Sequence, residues 1–292
     1  MSKGLLDPKV DFVFKNIFGS PNHPEILISF LNATLKAKKK IVNVDIKKTD
    51  IEKQYIEDKY SRLDVKATTS NDEIINIEIQ LKNENNMVKR SLYYLSKMYE
   101  EQLNEKEDYS KLVRTVCINI LNFKYLKTDN FHTGYRFKEI ESNEELTDIM
   151  EVHFIEIPKL QDSSDEKDML VAWTEFLKDP ESEKVRGLEL SIEEIRQAKD
   201  ELIRMSNDST QRELYDMRAN SLRDKMSELN AAERKGIEKG REDGREEGRK
   251  EGIEEGRKEE KIEIARNMKL SGIDTNTIAK ITNLSEDEID KL

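Results

Sequence analysis

The sequence predicts an α/β fold whose core elements follow the order α-β-β-β-α-β, with a helical region and a charged tail behind them. Three observations support this class. Residues 41–82 contain runs with the period of two that is typical of strands. Residues 8–19 and 87–103 flank them with helical periodicity, and residues 113–121 form the apolar run expected of a strand buried on both faces.

Two helices are expected first. In residues 8–19 apolar side chains recur at helical spacing, and Gly19 ends the run. A second helix at 24–36 follows Ser20-Pro21 and is closed by a basic segment.

Three strands should follow, at 41–47, 60–68 and 73–82. In the third strand the alternating isoleucines point to one face, and Asn76, Glu78 and Gln80 point to the other. The helix at 87–103 then carries one apolar stripe, formed by Val88, Leu92, Leu95, Met98, Tyr99 and Leu103. After the buried strand at 113–121, weaker strands are expected near 134–139 and 150–157.

Helices dominate the chain after Pro158, with helical patterns at 165–178, 191–205 and 208–235. We therefore expect a core at 1–160 and a helical region at 161–235 packed on it. A charged glycine repeat at 236–261 and a small terminal segment at 262–292 complete the predicted organisation.

Glycine recurs at every fourth position from Gly236 to Gly256, among charged residues. Because each glycine costs a helix about 1 kcal/mol relative to alanine, one interpretation is a solvated, marginal helix or linker. The other is a close helix–helix contact that the missing side chains permit, through which the chain would form a homo-oligomer.

Residues 262–292 are typical of a small helix-turn-helix, with breaks at 271–272 and 283–285. Ser285 and Glu288 match a capping box. The end of the segment is acidic, which opposes contact with phosphate, so the pattern favours partner binding over DNA reading.

The net charge of −11 excludes a protein that is basic overall, although not a local basic site. Residues 1–124 are slightly positive and the remainder strongly negative. The single cysteine, Cys117, lies in an apolar run and suits a reducing cytoplasm. No apolar run is long enough for a membrane span.

Residues 69–72 have the composition of a tight turn between two of the strands. A hairpin centred on Asn71 would place Asp64 opposite Glu78 on one polar face, with their Cβ atoms about 5 Å apart. Two facing carboxylates repel each other, and a divalent cation such as Mg²⁺ or Mn²⁺ would remove that conflict. Two unrelated exposed acids would give the same pattern.

Asp64 followed by Glu78-Ile79-Gln80 resembles the PD-(D/E)XK nuclease signature, with glutamine in the usual lysine position. Together with the segments at 7–19, 62–65 and 89–103, it is similar to the Rpn family of bacterial recombination-promoting nucleases and transposase-like proteins. The resemblance implies a restriction-endonuclease-like core and covers most of the chain.

By this resemblance Asp64 and Glu78 would bind the metal, and Gln80 would orient water or phosphate. An amide lacks the charge of lysine, so another cation is expected to compensate. Asp11 is a candidate third acid. The candidate supporting residues are Lys15, Arg62, Arg90, Tyr94 and Lys97.

The sequence thus predicts a cytoplasmic, Mg²⁺-dependent DNA endonuclease of low sequence specificity, with roles in recombination, mobile-element movement or DNA defence. One alternative is an inactive interaction protein on a nuclease scaffold that acts through its tail. Another is a DNA-binding regulator that acts through residues 262–292.

Overall fold

A computed structural model of the chain describes residues 4–37, 39–47, 65–165 and 167–292. Two units are present, the first ending at Leu222 and the second beginning at Arg223. The predicted α/β class and the order of the core elements are confirmed. The predicted boundaries at 160, 235 and 261 are not tested by this division and stay predictions.

The core elements follow the chain in the predicted order. They are α1 (Asp11–Phe18), α2 (Pro24–Leu35), β1 (Val44–Lys47), β2 (Val65–Thr69), β3 (Ile74–Gln80), α3 (Met87–Glu100), β4 (Thr115–Leu121), β5 (His132–Lys138) and β6 (Glu145–Glu156). Strand β1 begins three residues later than the alternation suggested, because Val44 pairs with Thr69, the last residue of β2. The first part of the run predicted at 60–68 lies outside the described residues.

Helices make up the rest of the described chain. They are α4 (Met169–Lys178), α5 (Glu183–Ser191), α6 (Glu193–Asn207), α7 (Ser209–Leu270), α8 (Thr275–Thr282) and α9 (Glu286–Asp290). Within this part of the chain, no helix is both long and apolar enough to cross a membrane.

The described strands form one six-stranded sheet in the order β1-β2-β3-β4-β6-β5. Strands β3, β4 and β6 are mutually parallel, and the remaining pairs are antiparallel. Every residue of β4 is buried, as its unbroken apolar run predicts for a strand covered on both faces. The three parallel strands therefore end at the same edge of the sheet.

The hairpin of β2 and β3 has the predicted register. Val65 pairs with Ile77 and Lys66 with Asn76 across the turn at 69–72. Ile75, Ile77 and Ile79 point into the larger core with α1, α2 and α4 to α6. Glu78 and Asn76 consequently point to the opposite face, which α3 covers.

Helix α3 is rotated relative to the predicted apolar stripe. Val88 and Leu92, which the pattern assigned to the buried face, are 40% and 49% exposed. The buried face instead carries Met87, Ser91, Tyr94, Leu95 and Met98. The prediction was wrong here because the sheet face beneath α3 mixes apolar side chains with the polar Asn76, Glu78 and Asn119, so hydrophobic periodicity alone did not fix the rotation of the helix.

A buried ion network joins the amino ends of the parallel strands. The guanidinium of Arg114 donates to Glu73, which precedes β3, and to Glu151 on β6. His153 Nε2 lies 2.7 Å from Glu151 Oε1, and Arg136 of β5 lies 3.0 Å from Glu151 Oε2. Because Glu151 is only 4% exposed, these partners stabilise a carboxylate that has lost most of its contact with water.

The glycine repeat lies within α7, so the predicted helical tail is present. Nothing described lies within 4 Å of a Cβ placed on any glycine from Gly236 to Gly256. Their helix face is open along its whole length. The close helix–helix contact proposed from the repeat is therefore not made within the described chain.

The terminal segment is helical and has its own small core. Ala265 at the end of α7 packs with Ile278, Leu284 and Ile289. Gly272 adopts a φ of +80° between α7 and α8, a conformation that suits glycine. The capping box predicted at Ser285 and Glu288 is confirmed.

Replacing Glu151 with glutamine should lower the free energy of unfolding by about 3 kcal/mol at pH 7, because it breaks a buried ion pair. Burial opposes ionisation of Glu151, but hydrogen bonds from His153 and Arg114 outweigh it and lower its pKa to about 2. A carboxyl whose folded pKa is lowered stabilises the fold above its unfolded pKa. The difference between variant and wild type should thus shrink as the pH falls from about 4.5 towards 2.

Urea denaturation at several pH values measures this effect. Glu145→Gln is the matched control, since it removes the exposed partner of the same Arg136 and should cost less than about 1 kcal/mol. Equal losses in the two variants would contradict a special contribution of the buried network.

Replacing Gly244 with alanine should stabilise the middle of α7 by about 1 kcal/mol, because the glycine has no close neighbour. Amide hydrogen exchange in residues 236–256 should then slow by about five-fold. Glu247→Ala is the control, as it also places an alanine at an exposed position of the same helix but changes helix propensity little. Faster exchange together with a smaller particle in light scattering would instead indicate that the glycines form a contact between copies.

Candidate active site at the carboxyl end of the parallel strands

Glu78 is the central acidic group on the sheet face that α3 covers. Glu78 is 3% exposed, and the Nε atom of Arg90 on α3 lies 3.3 Å from its Oε2 atom. Its other oxygen, Oε1, is buried and has no hydrogen-bond partner among the described residues. The carboxylate is thus held on one side and has one oxygen without a partner on the other.

Burial raises the pKa of Glu78 above its ordinary value. The charge of Arg90 and hydrogen bonds from Asn76 and Arg90 act in the opposite direction but do not overcome it. A positive charge close to Oε1 would lower this pKa, since it stabilises the ionised form. Among the described residues, the positive charge near Glu78 therefore does not offset its burial.

Polar residues of β3, β4 and α3 form the surroundings of Glu78. Asn119 lies beside Glu78 in the parallel register, accepts a hydrogen bond from Ser91 Oγ at 2.8 Å and donates one to the His153 carbonyl at 3.1 Å. Asn76 has a buried Oδ1 atom with no partner among the described residues.

Cys117 lies on the same face as Glu78. Burial, followed by the nearby charge of Glu78, raises the pKa of its thiol. The thiol is therefore protonated at neutral pH and is a poor nucleophile and metal ligand.

Sequence reasoning missed Asn119 and Ser91. A signal for Asn119 is present, because it is the polar interruption of a strand that is otherwise apolar from Val116 to Leu121. A buried amide needs partners, which predicts a polar contact at that position. Ser91 had no comparable signal, since serine is ordinary on an exposed helix face.

Arg90 and Tyr94, both predicted to support the site, are near Glu78. The Arg90 guanidinium lies 5.4 Å from the centre of the Tyr94 ring, and Tyr94 is buried under α3. Gln80 ends β3, is partly exposed and follows Glu78 on the same face. Asp64 and Arg62 lie outside the described residues.

The other predicted residues lie on α3 and α1. Lys97, two turns beyond Arg90 on α3, has its Nζ 3.4 Å from Glu100 Oε2 and 3.7 Å from Glu101 Oε1. Asp11 and Lys15 belong to α1, on the opposite face of the sheet, where Arg218 Nη1 lies 3.4 Å from Asp11 Oδ2. Gly19, which follows α1, lies against Val65 of β2.

A divalent cation fits one side of this arrangement. The partnerless Oε1 of Glu78 is a carboxylate oxygen, the ligand type that Mg²⁺ and Mn²⁺ prefer. Among the residues that the structure describes, no group of three or more His, Cys, Asp or Glu side chains is arranged to hold a metal. The predicted second ligand, Asp64, is not among them.

Comparison with known families gives two matches. The family model described as "PD-(D/E)XK nuclease family transposase" matches residues 8–232. The model described as "Rpn/YhgA-like nuclease family, C-terminal HTH domain" matches residues 258–292. Searches of curated proteins and of solved structures found no match.

Replacing Glu78 with glutamine should raise the melting temperature in metal-free buffer at neutral pH. The raised pKa means that folding disfavours the ionised carboxyl. Stability is therefore lost as the pH rises above the ordinary value of 4.5, and the variant avoids this loss. The gap between variant and wild type should close as the pH falls towards 4.

Differential scanning calorimetry in EDTA tests this pH dependence. Glu144→Gln, at an exposed carboxyl, is the control and should leave the melting temperature nearly unchanged at every pH. A Glu78→Gln protein that melts below wild type at neutral pH would show that the carboxylate is satisfied without a cation.

Proposed function

Because the chain belongs to the PD-(D/E)XK nuclease family of transposases, we propose that it is a metal-dependent DNA endonuclease of low sequence specificity. The observation that carries the proposal is the buried Glu78 carboxylate with its partnerless oxygen. It belongs to the Glu78-Ile79-Gln80 sequence at the carboxyl end of a parallel strand. In open α/β sheets, ligands bind outside the carboxyl ends of parallel strands.

Asp64 and Glu78 are proposed to hold Mg²⁺ or Mn²⁺. The register that pairs Val65 with Ile77 is the one from which Asp64 was expected to face Glu78. When bound, the cation would neutralise charge on the phosphate and lower the pKa of a water molecule. Asp11 is left out of this ligand set, because α1 packs on the opposite face of the sheet.

Gln80 is proposed to orient the attacking water or a phosphate oxygen, since its amide both donates and accepts hydrogen bonds. It cannot supply the positive charge that lysine brings to related sites. Arg90 does not replace that charge directly, because its guanidinium is bound to Glu78 Oε2. We assign Arg90 a positioning role: it holds one carboxylate oxygen and leaves the other directed at the cation.

The terminal helix-turn-helix is proposed to bring the nuclease to its target, through a partner protein or through a second copy of the chain. Helix α9 carries Glu286, Asp287, Glu288 and Asp290, whose charge opposes close contact with phosphate. Recombination, mobile-element movement and DNA defence are all compatible physiological roles for such an enzyme.

Cleavage of supercoiled plasmid tests the proposed activity. Wild-type protein should nick or linearise the plasmid with Mg²⁺ or Mn²⁺ and not with EDTA. Asp64→Asn and Glu78→Gln, which keep side-chain size but remove charge, should each reduce the rate at least 100-fold. Asp45→Asn, at an exposed acid of β1 paired only with Lys47 in the described structure, should cleave normally.

Absence of cleavage would need one further comparison. A chain ending at residue 235 contains the whole first unit and lacks the terminal helix-turn-helix. If neither this shorter chain nor the full chain cleaves DNA with either metal, the endonuclease proposal is wrong. The alternative, an interaction protein that acts through its tail, would then be favoured.

A further inference from the structure

The loop between β4 and β5, residues 122–131, begins next to the candidate active site. Leu121 pairs with Gln80 in the parallel register, and the Asn122 amide donates to the Gln80 carbonyl at 2.9 Å. The loop therefore continues from the strand end at which Glu78 and Gln80 lie. No residue of this loop was singled out by the sequence patterns.

A buried ion pair anchors the loop from below. Glu156, at the end of β6, is fully buried and accepts hydrogen bonds from the Tyr125 and Leu126 amides through Oε1. Lys159 Nζ donates to Glu156 Oε2 at 2.6 Å and to the Leu126 and Thr128 carbonyls at 2.7 and 2.6 Å. Four hydrogen bonds from this pair to loop backbone groups hold the loop in one conformation.

The same loop also contacts the first turn of α3. Tyr125 Oη accepts a hydrogen bond from the Val88 amide at 3.4 Å, and the Tyr125 ring packs on Phe154 of β6. Because Arg90 follows two residues after Val88, the loop borders the helix turn that holds Glu78. Its backbone is thus fixed on the strand side and on the helix side of the site.

Three lysines on this border are exposed: Lys124 and Lys127 in the loop and Lys89 in the first turn of α3. Lys124 and Lys127 form no ion pair within the described residues, and Asp129 is the only acid in the loop sequence. Lys89 and Lys124 belong to the part of the chain, residues 1–124, that is slightly positive although the whole chain carries a net charge of −11. Lysines on a fixed backbone present their charge at defined positions.

We propose that Lys124 and Lys127, together with Lys89, bind the phosphate backbone of the DNA strand that enters the Glu78 site. This inference rests on the proposed nuclease function and adds the surface that holds the substrate. Contacts to phosphate position a duplex without reading its bases. A border of lysines therefore agrees with cleavage of low sequence specificity, and it supplies positive charge that Gln80 does not.

Salt-dependent DNA binding tests the inference in the full-length chain. We would measure the fluorescence anisotropy of a labelled 30-base-pair duplex, in a Glu78→Gln background so that cleavage does not interfere. Adding Lys124→Gln and Lys127→Gln should weaken binding at least ten-fold at low salt. The slope of log affinity against log salt concentration should become shallower by about 1.8, because each lost phosphate contact changes it by about 0.9.

The matched control is the Lys106→Gln, Lys138→Gln double variant in the same background. It removes the same charge from two exposed lysines on the segment that enters β4 and at the end of β5, near the amino ends of the parallel strands. Its affinity and salt slope should stay close to those of the parent. Replacing Lys124 and Lys127 with arginine should retain binding, since arginine keeps the charge.

Two results would overturn this inference but not the proposed function. In the first, the Lys124→Gln, Lys127→Gln variant binds DNA as tightly as its Glu78→Gln parent. In the second, this variant and the control lose the same affinity. The second would show that only total charge matters. If the Glu78→Gln parent itself does not bind DNA, the proposed nuclease function fails together with the lysine surface. Binding by the parent therefore distinguishes a failure of the surface from a failure of the function.

Discussion

The parallel pairing of β3 with β4 and of β4 with β6 is the constraint on which the rest of the structure depends. Parallel strands end at a common edge, so residues far apart in the chain meet there without any long-range motif. The amino ends are closed by the Arg114 network. The carboxyl ends carry Glu78, Gln80 and the loop anchored by Glu156. The amino ends of these strands therefore hold the sheet together, and the carboxyl ends form the candidate site.

Burial at the candidate site disfavours the ionised form of Glu78, and the described neighbours of Glu78 offset this effect only in part. Arg90 binds one oxygen of Glu78, and Asn76 adds a hydrogen bond, yet burial still dominates the pKa. At Glu151 the partners outweigh burial, since Arg114, Arg136 and His153 surround its carboxylate and lower its pKa. Among the described residues, Glu151 thus has three cationic or hydrogen-bonding partners, whereas Glu78 has one ion-pair partner, Arg90.

Much of this arrangement could be predicted from the sequence, because its signals are local. Alternation of apolar and polar residues predicted the sheet face of Glu78, and the turn at 69–72 predicted the hairpin register. The register is well specified because a slip of one residue would move every side chain of the strand to the other face. The rotation of α3 could not be predicted, because the helix packs on apolar and polar groups together, and its own periodicity does not reveal the polar ones. The Arg114 network was also out of reach, because its members are far apart in sequence and meet only in the folded sheet. The role of Asp64 stays a prediction, as it lies outside the described residues.

The chain has a single thiol, and that thiol lies beneath α3 beside Glu78. Alkylating reagents can reach Cys117 only when the helix lifts from the sheet and the thiol becomes ionised. The rate of alkylation therefore reports how often this interface opens. Cys117 can therefore report motion of α3 at the candidate site without an engineered label. Ligands that hold α3 against the sheet should slow the alkylation of Cys117.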